Sequence, residues 1–323
     1  MSDSYSATNP VPHPQPKTLR SPETMPVVPH PDEQDTEQQE TLFHISLNPS
    51  QPETIVFLHG LWSSHLEYAL VTPHLNNYHL ILVDLPGHGE AASLADDDEN
   101  LTMPAMADKV ARLIRRHAHN RRAHIVGLSM GGFVTMSLAD RYPSLCQSAF
   151  VTGAAPLEGM FAFMAKHCWV VYGLMWTFKT LPDGIYWWLS EVSGSGHVKR
   201  FKELRVEQQR NLDWRVVKAV YWSILESLSG EQGWEVVRRL GKTEPGRVRM
   251  VNVSGAKMDD LGSAAGVKKV WTEEGALTVP ERNRVVVIKE AVHAWDLQFP
   301  ELFARGVEAW VKCDELPVEF EDL

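Results

Sequence analysis

The segment GLSMGG, residues 127–132, constrains the fold more than any other stretch of the chain. The apolar run AHIV (123–126) leads into it, and GGFVTMSLADRY (131–142) follows with helical character before Pro143 closes it. A strand must therefore turn into a helix within a few residues, and only small side chains leave space for so sharp a reversal. Ser129 stands at the apex, between Gly127 and Gly131. A serine there is presented at the end of a strand with the positive end of a helix behind it, which suits a nucleophile. The alternative is a glycine-rich turn that carries a serine incidentally.

Short β-rich runs alternate with helical stretches on both sides of this turn. Strands are expected at 42–47, 55–58, 80–83, 123–126, 148–152, 248–253 and 284–288. Helices are expected at 65–77, 103–117, 131–142 and 300–312, the last beginning at Pro300, a favoured first-turn residue. Continuous apolar strands alternating with helices predict an α/β fold with a mostly parallel sheet covered on both faces. Residues 156–246 break the alternation and read as helical, with seven of the chain's eleven tryptophans. The expected organisation is a tail over 1–41, a core over 42–155 and 247–323, and an inserted helical cap over 156–246.

The tail is rich in Pro, Gln, Ser and acids and cannot bury enough surface to offset its ordering entropy. It carries five of the ten net negative charges. An acidic chain of this kind offers no electrostatic route to nucleic acid or anionic lipid. Residues 160–178 come nearest to a membrane span, but Lys166 and His167 interrupt them, so no stable membrane insertion is expected. Three widely spaced cysteines make no disulfide framework, and no secretion signal is read at the N-terminus, which together point to the cytoplasm. No metal is expected: His117 and His119 fall on different helix faces, and no carboxylate or cysteine set completes a site with His124. The acidic loop at 94–100 reads as solvated, and the Ser-Gly repeat at 193–196 as a hinge or loop.

HGLW (59–62) ends the 55–58 strand, where a backbone N–H could complete an oxyanion hole; such a hole needs two donors, and the amide of Met130 would be the other. DLPGHG (84–89) ends the next strand as a tight loop, with His88 read as structural. VHAW (292–295) follows the last strand. Together HGLW, DLPGHG, GLSMGG and VHAW resemble the α/β-hydrolase superfamily, in its usual order and over residues 53–312. The phrase AVHAWDLQFPELF (291–303) also looks like α/β hydrolases found beside fungal polyketide synthases. One departure is at the sheet edge: the family often has two strands before the HG strand, and this chain offers one clear candidate.

The resemblance implies a cofactor-independent serine hydrolase with Ser129 as nucleophile, His293 as general base and the Leu61 and Met130 amides as oxyanion donors. A serine hydroxyl needs a base near neutral pKa, which the Ser…Asp…His order supplies. The acid should follow the 248–253 strand, where KMDD offers Asp259 and Asp260; Asp259 is favoured. The cap, by the same resemblance, roofs the pocket, with Trp62, Trp169 and Trp176 as substrate-binding residues for a bulky, apolar, polyketide-like acyl group. Reactions expected of such a site are ester, thioester or C–C cleavage, with acyl transfer or a cyclase or lyase reaction as alternatives. A binding or scaffold protein that has kept the fold without turnover is the alternative of a different class.

Overall fold

The computed structural model describes residues 41–192, 202–210, 212–242, 247–275 and 282–323. The expected tail, apart from Thr41, and the 193–196 repeat lie outside these residues. Eight strands form one sheet: β1 (His44–Leu47), β2 (Thr54–Leu58), β3 (His79–Val83), β4 (Ala123–Leu128), β5 (Cys146–Thr152), β6 (Arg249–Gly255), β7 (Arg284–Ile288) and β8 (Glu321–Asp322). Their order is β1-β3-β2-β4-β5-β6-β7-β8, parallel except where β1 and β8 pair antiparallel at the two edges. Every residue of β2, β3 and β4 is buried, as continuous apolar strands covered on both faces should be. Successive residues serve opposite faces: Val56 and Leu58 join one core, Ile55 and Phe57 the other.

The first core is covered by α1 (Met103–His117), α2 (Met130–Arg141) and, later in the chain, α9 (Leu261–Glu273). Helix α1 buries Met103, Met106, Val110 and Ile114 on one stripe, starts at a Thr102 cap and ends in Arg115, Arg116 and His117, which suit the negative helix end. The second core is covered by α10 (Trp295–Gln298), α11 (Pro300–Lys312) and two short 3-10 turns, His65–Leu70 and Thr72–His74. Those turns replace the single helix expected over 65–77. Pro73 has no N–H to give to a carbonyl four residues back, so a continuous α-helix cannot run through it.

Between β5 and β6 the chain forms α3 (Gly159–Lys166), α4 (Cys168–Thr180), α5 (Asp183–Val192), α6 (Lys202–Arg210), α7 (Trp214–Ser227) and α8 (Gly230–Gly241). No strand interrupts this insertion among the described residues. Helices α7 and α8 pack their buried valines into the first core, whereas α3 to α5 leave much of their apolar surface exposed. No helix among the described residues is long and apolar enough to cross a membrane.

Chain order and strand order part company at β2. The chain goes from β2 to β3 on one side and then crosses to β4 on the other, so the loops after β2 and β4 diverge over a crevice at their carboxyl ends. Register brings those ends level, with Leu58 beside Gly127 and Leu128 beside Thr152. The pairs Thr152–Val253 and Gly255–Ile288 carry the same edge through β6 and β7. The four motif loops therefore share one rim. Close packing at this rim depends on Gly131: a Cβ there would lie 2.0 Å from the Leu58 carbonyl oxygen and 2.8 Å from that of His59. Backbone cannot give way as a side-chain tip can. Gly131→Ala should therefore cost about 3 kcal/mol or more in a urea titration, and a loss under about 0.5 kcal/mol would contradict this packing.

Candidate active site

Ser129 adopts φ 53° and ψ −116°, a conformation that a residue with a Cβ rarely takes. Three backbone hydrogen bonds hold it. Its own N–H donates to Thr152 O at 2.9 Å, its carbonyl accepts from Phe133 N at 3.0 Å, and the Gly131 N–H ties the start of α2 to His59 O at 3.1 Å. The side chain is thereby raised off the sheet at the N-terminus of α2. Met130 is the first residue of that helix, and its amide lies outside the intrahelical bonding pattern.

His293 and Asp259 come together across 34 residues of sequence. The His293 Nδ1 and Asp259 Oδ1 are 2.5 Å apart, and the other carboxylate oxygen accepts from the Gly255 amide at 2.6 Å. The Asp259 carboxylate is 5% exposed. Burial favours the neutral imidazole, but the Asp259 hydrogen bond and charge and the Glu67 charge outweigh it and raise His293 above its ordinary value. Asp260, the other candidate acid, serves a different end. It caps α9, accepting from the amides of Gly262 and Ser263 at 3.0 and 3.2 Å and from the Ser263 hydroxyl at 2.7 Å.

The loop bearing His293 is fixed from both sides. Trp295 is fully buried and donates to Thr152 Oγ1 at 2.7 Å, and the Val292 N–H donates to Gln298 at 2.9 Å. Beneath the ring lies Gly153, at φ 62°, where a Cβ would stand 2.7 Å from His293 Cε1. Only glycine satisfies both that backbone angle and that approach.

The HG loop is held by side chains. His59 is buried, and its Nε2 accepts from the Leu85 amide at 3.0 Å, so the proton is on Nδ1, which donates to Gly60 O at 2.8 Å. His88 is buried beside it and pushed down to about 3 by desolvation, which keeps the ring neutral and structural. Asp84 completes this region by accepting from the amides of His65 and Glu90 at 2.6 and 2.9 Å.

A cavity of about 270 Å³ opens beside these groups. Ser129, Met130, Leu61, Asp259, Asp260 and His293 line its floor, and Phe161, Met164, Val171, Val220, Tyr221 and Ile224 from the insertion line its roof. The expected tryptophans are not among the lining residues. Trp62 is half-buried and donates through its indole to the Gln208 carbonyl. Trp169 and Trp176, on α4, are 64% and 53% exposed and turn outward. A count of aromatics does not reveal which helix face meets the core. The phenylalanine, methionine and branched residues on the inner faces of α3, α4 and α7 occupy the place expected of indoles. Glu67, Gly153 and Asp296 also escape the sequence reading, since no motif marks them.

Residues 53–185 match the profile of the alpha/beta hydrolase fold family. An AB hydrolase superfamily protein of Gibberella zeae is 36% identical over 284 residues, 87% of each chain. The chain belongs to the α/β-hydrolase superfamily. Shorter matches include an ethanol acetyltransferase of Cyberlindnera jadinii, 30% identical over 37% of this chain and 35% of that one. A monoacylglycerol lipase of Bos taurus is 33% identical over 33% of this chain and 32% of its own length. The chain thus spans about a third of those two relatives. Among solved structures, MenH from S. aureus superposes with a TM-score of 0.58 at 15% identity, covering 85% of this chain and 98% of its own. An esterase from Thermogutta terrifontis gives 0.54 at 17%, covering 84% and 93%, and both likenesses concern the fold. With lipase, esterase and acyltransferase relatives, this α/β hydrolase is an enzyme of hydrolase type.

The backbone at Ser129 generates a stability prediction. Ser129→Gly relieves a strain of order 1–3 kcal/mol and incurs about 0.5–1 kcal/mol of added chain entropy. Ser129→Gly should therefore unfold in urea about 1 kcal/mol above Ser129→Ala; equal stabilities would show that the turn is unstrained.

Proposed function

We propose that this α/β hydrolase is a serine esterase or thioesterase that works through an acyl-enzyme, with Ser129 as nucleophile, His293 as base and Asp259 as the orienting acid. The observation that carries the reading is the short His293–Asp259 bond on the rim that also holds the strained Ser129. Asp259 holds the Nδ1–H tautomer, which leaves Nε2 free to take the serine proton. Ser129 Oγ attacks the acyl carbon, and His293 passes that proton to the leaving alcohol or thiol. The developing oxyanion is received by the amides of Leu61 and Met130, which need no reorganisation to meet it. Water, activated by His293, then attacks the acyl-enzyme and frees the acid and the serine.

The substrate class follows from the roof. The branched, phenylalanine and methionine side chains there give an acyl group no charged partner, and the cavity volume lies near the lower end of the ~300–1,000 Å³ common for ligand pockets. That favours an apolar acyl chain of moderate length, polyketide-like or fatty, over a short charged acid. The partial likeness to an ethanol acetyltransferase supports acyl transfer as a second reading: an alcohol in place of water at the last step gives an ester.

Kinetics on p-nitrophenyl esters test both parts. Hexanoate should exceed acetate in kcat/KM by about tenfold or more, since each buried methylene contributes about 0.8 kcal/mol; a preference for short charged acids would refute the apolar pocket. Asp259→Asn should lower kcat by roughly 10⁴. Asp260→Ala should leave turnover within a few-fold while removing about 1 kcal/mol of stability with the α9 cap. Equal or reversed losses in turnover would reject Asp259 as the acid.

A further inference from the structure

A second pair of acids lies behind the proposed site, outside the machinery described so far. Glu67 sits in the 3-10 turn His65–Leu70 and is 5% exposed. Its Oε2 accepts the Gly60 N–H at 2.7 Å. With His59 bonded to the Gly60 carbonyl, both polar groups of the Gly60 residue are fixed by side chains. Gly60 is also a thin spacer: a Cβ there would lie 3.6 Å from Ser129 Cβ and 3.7 Å from Glu67 Oε2. Asp296 comes from α10, which packs against the Glu67 turn. It is fully buried, and neither of its carboxylate oxygens has a hydrogen-bond partner among the described residues.

We propose that Glu67 is a positioning residue of the active site: anchored by the Gly60 amide on a turn packed against α10, which carries Asp296, its carboxylate sets the oxyanion loop and the electric field at His293. The inference rests on reading Ser129 and His293 as nucleophile and base. Two buried carboxyls that feel each other's charge do not both ionise readily, and Asp296, whose burial outweighs the help of its own amide and that of Leu297, keeps the proton, whereas Glu67 accepts the Gly60 amide at 2.7 Å. Burial and the Glu67 charge both hold Asp296 in its neutral form. Burial raises Glu67 as well, to about 7, against the pull of the Gly60 amide, of His293 and of the Ser63 hydroxyl. The ionisable groups that bear on Glu67 are His293 from the loop after β7, Asp296 from α10, and Tyr68 beside it on its own turn. Tyr68 stays neutral, with its hydroxyl donating to Leu58 O at 3.0 Å. Above about pH 7, where Glu67 ionises, the pair therefore carries one negative charge, placed where it supports a protonated His293 without bonding to it. Meanwhile the carboxylate grip on Gly60 determines where the next amide, that of Leu61, points.

The two roles separate by substitution. Glu67→Gln keeps an acceptor for the Gly60 amide and removes the charge, whereas Glu67→Ala removes both. In NMR titrations His293 should titrate lower in Glu67→Gln than in the wild type, while the Gly60 amide keeps its protection from hydrogen exchange. Glu67→Ala should lose that protection and roughly tenfold in kcat on p-nitrophenyl hexanoate with KM little changed, and Glu67→Gln should recover most of the kcat. An unmoved His293 titration in Glu67→Gln overturns the field role. A Gly60 amide equally protected in Glu67→Ala overturns the anchoring role. Infrared spectra at about two pH units above the Glu67 value should show a protonated-carboxyl stretch that Asp296→Asn removes, and its absence from the wild type contradicts the single-charge pair. Failure of the serine-hydrolase reading looks different: Ser129→Ala would then turn over the ester as the wild type does, and the NMR outcomes would still decide the role of Glu67.

Discussion

The turn from β4 into α2 is the constraint around which the rest of this rim is arranged. Raising Ser129 off the sheet requires a backbone conformation that is unfavourable by itself, so neighbours must over-determine it. They do so from two strands. β5 supplies the Thr152 carbonyl, β2 brings the His59 carbonyl to the Gly131 amide, and the absence of a side chain at Gly131 lets α2 sit against the end of β2. The same contacts that hold the serine fix the HG loop beside it. The proposed nucleophile and oxyanion donors are consequently positioned by one set of backbone contacts, before any substrate arrives.

Charge is distributed around this rim with equal economy. Five acidic side chains lie near it, and their surroundings differ. Asp84 and Asp260 accept backbone amides and hold loops and helix ends. Asp259 accepts one backbone amide and bonds the histidine. Asp296 is pushed toward its neutral form by burial and by the Glu67 charge, while Glu67 accepts the Gly60 amide. His59 and His88 are kept neutral by burial, so His293 is the imidazole of the three that is raised above its ordinary value. Environment, not residue type, assigns these roles.

Much of the sheet was legible in the sequence because buried parallel strands leave an unambiguous mark. The runs at 284–288 and 300–312 coincide with β7 and α11, and the strand expected at 80–83 starts one residue earlier. The stretch 65–77 misled because its apolar spacing is helical while Pro73 forbids the continuous bond ladder. β8 is two residues long, too short for any alternation to show. At the site, the order of serine, aspartate and histidine foretold a meeting of distant residues, and Asp259 and His293 do meet. The choice between two adjacent aspartates needed the structure, since successive side chains in a loop can point anywhere. The tryptophans were misleading for a related reason: amphipathic periodicity is weak when a helix such as α4 is apolar on nearly every face. Glu67 and Asp296 had no mark at all, because a buried acid inside an apolar run looks like a solvated one until its neighbours are known.

The central claim is that Ser129 is a nucleophile activated by His293. Treating the folded protein with a fluorophosphonate and mapping the labelled peptide by mass spectrometry tests it most directly. The account predicts a single adduct on Ser129 that is lost in His293→Ala. Folded wild-type protein that stays unlabelled, or that carries the adduct on another residue, would contradict it.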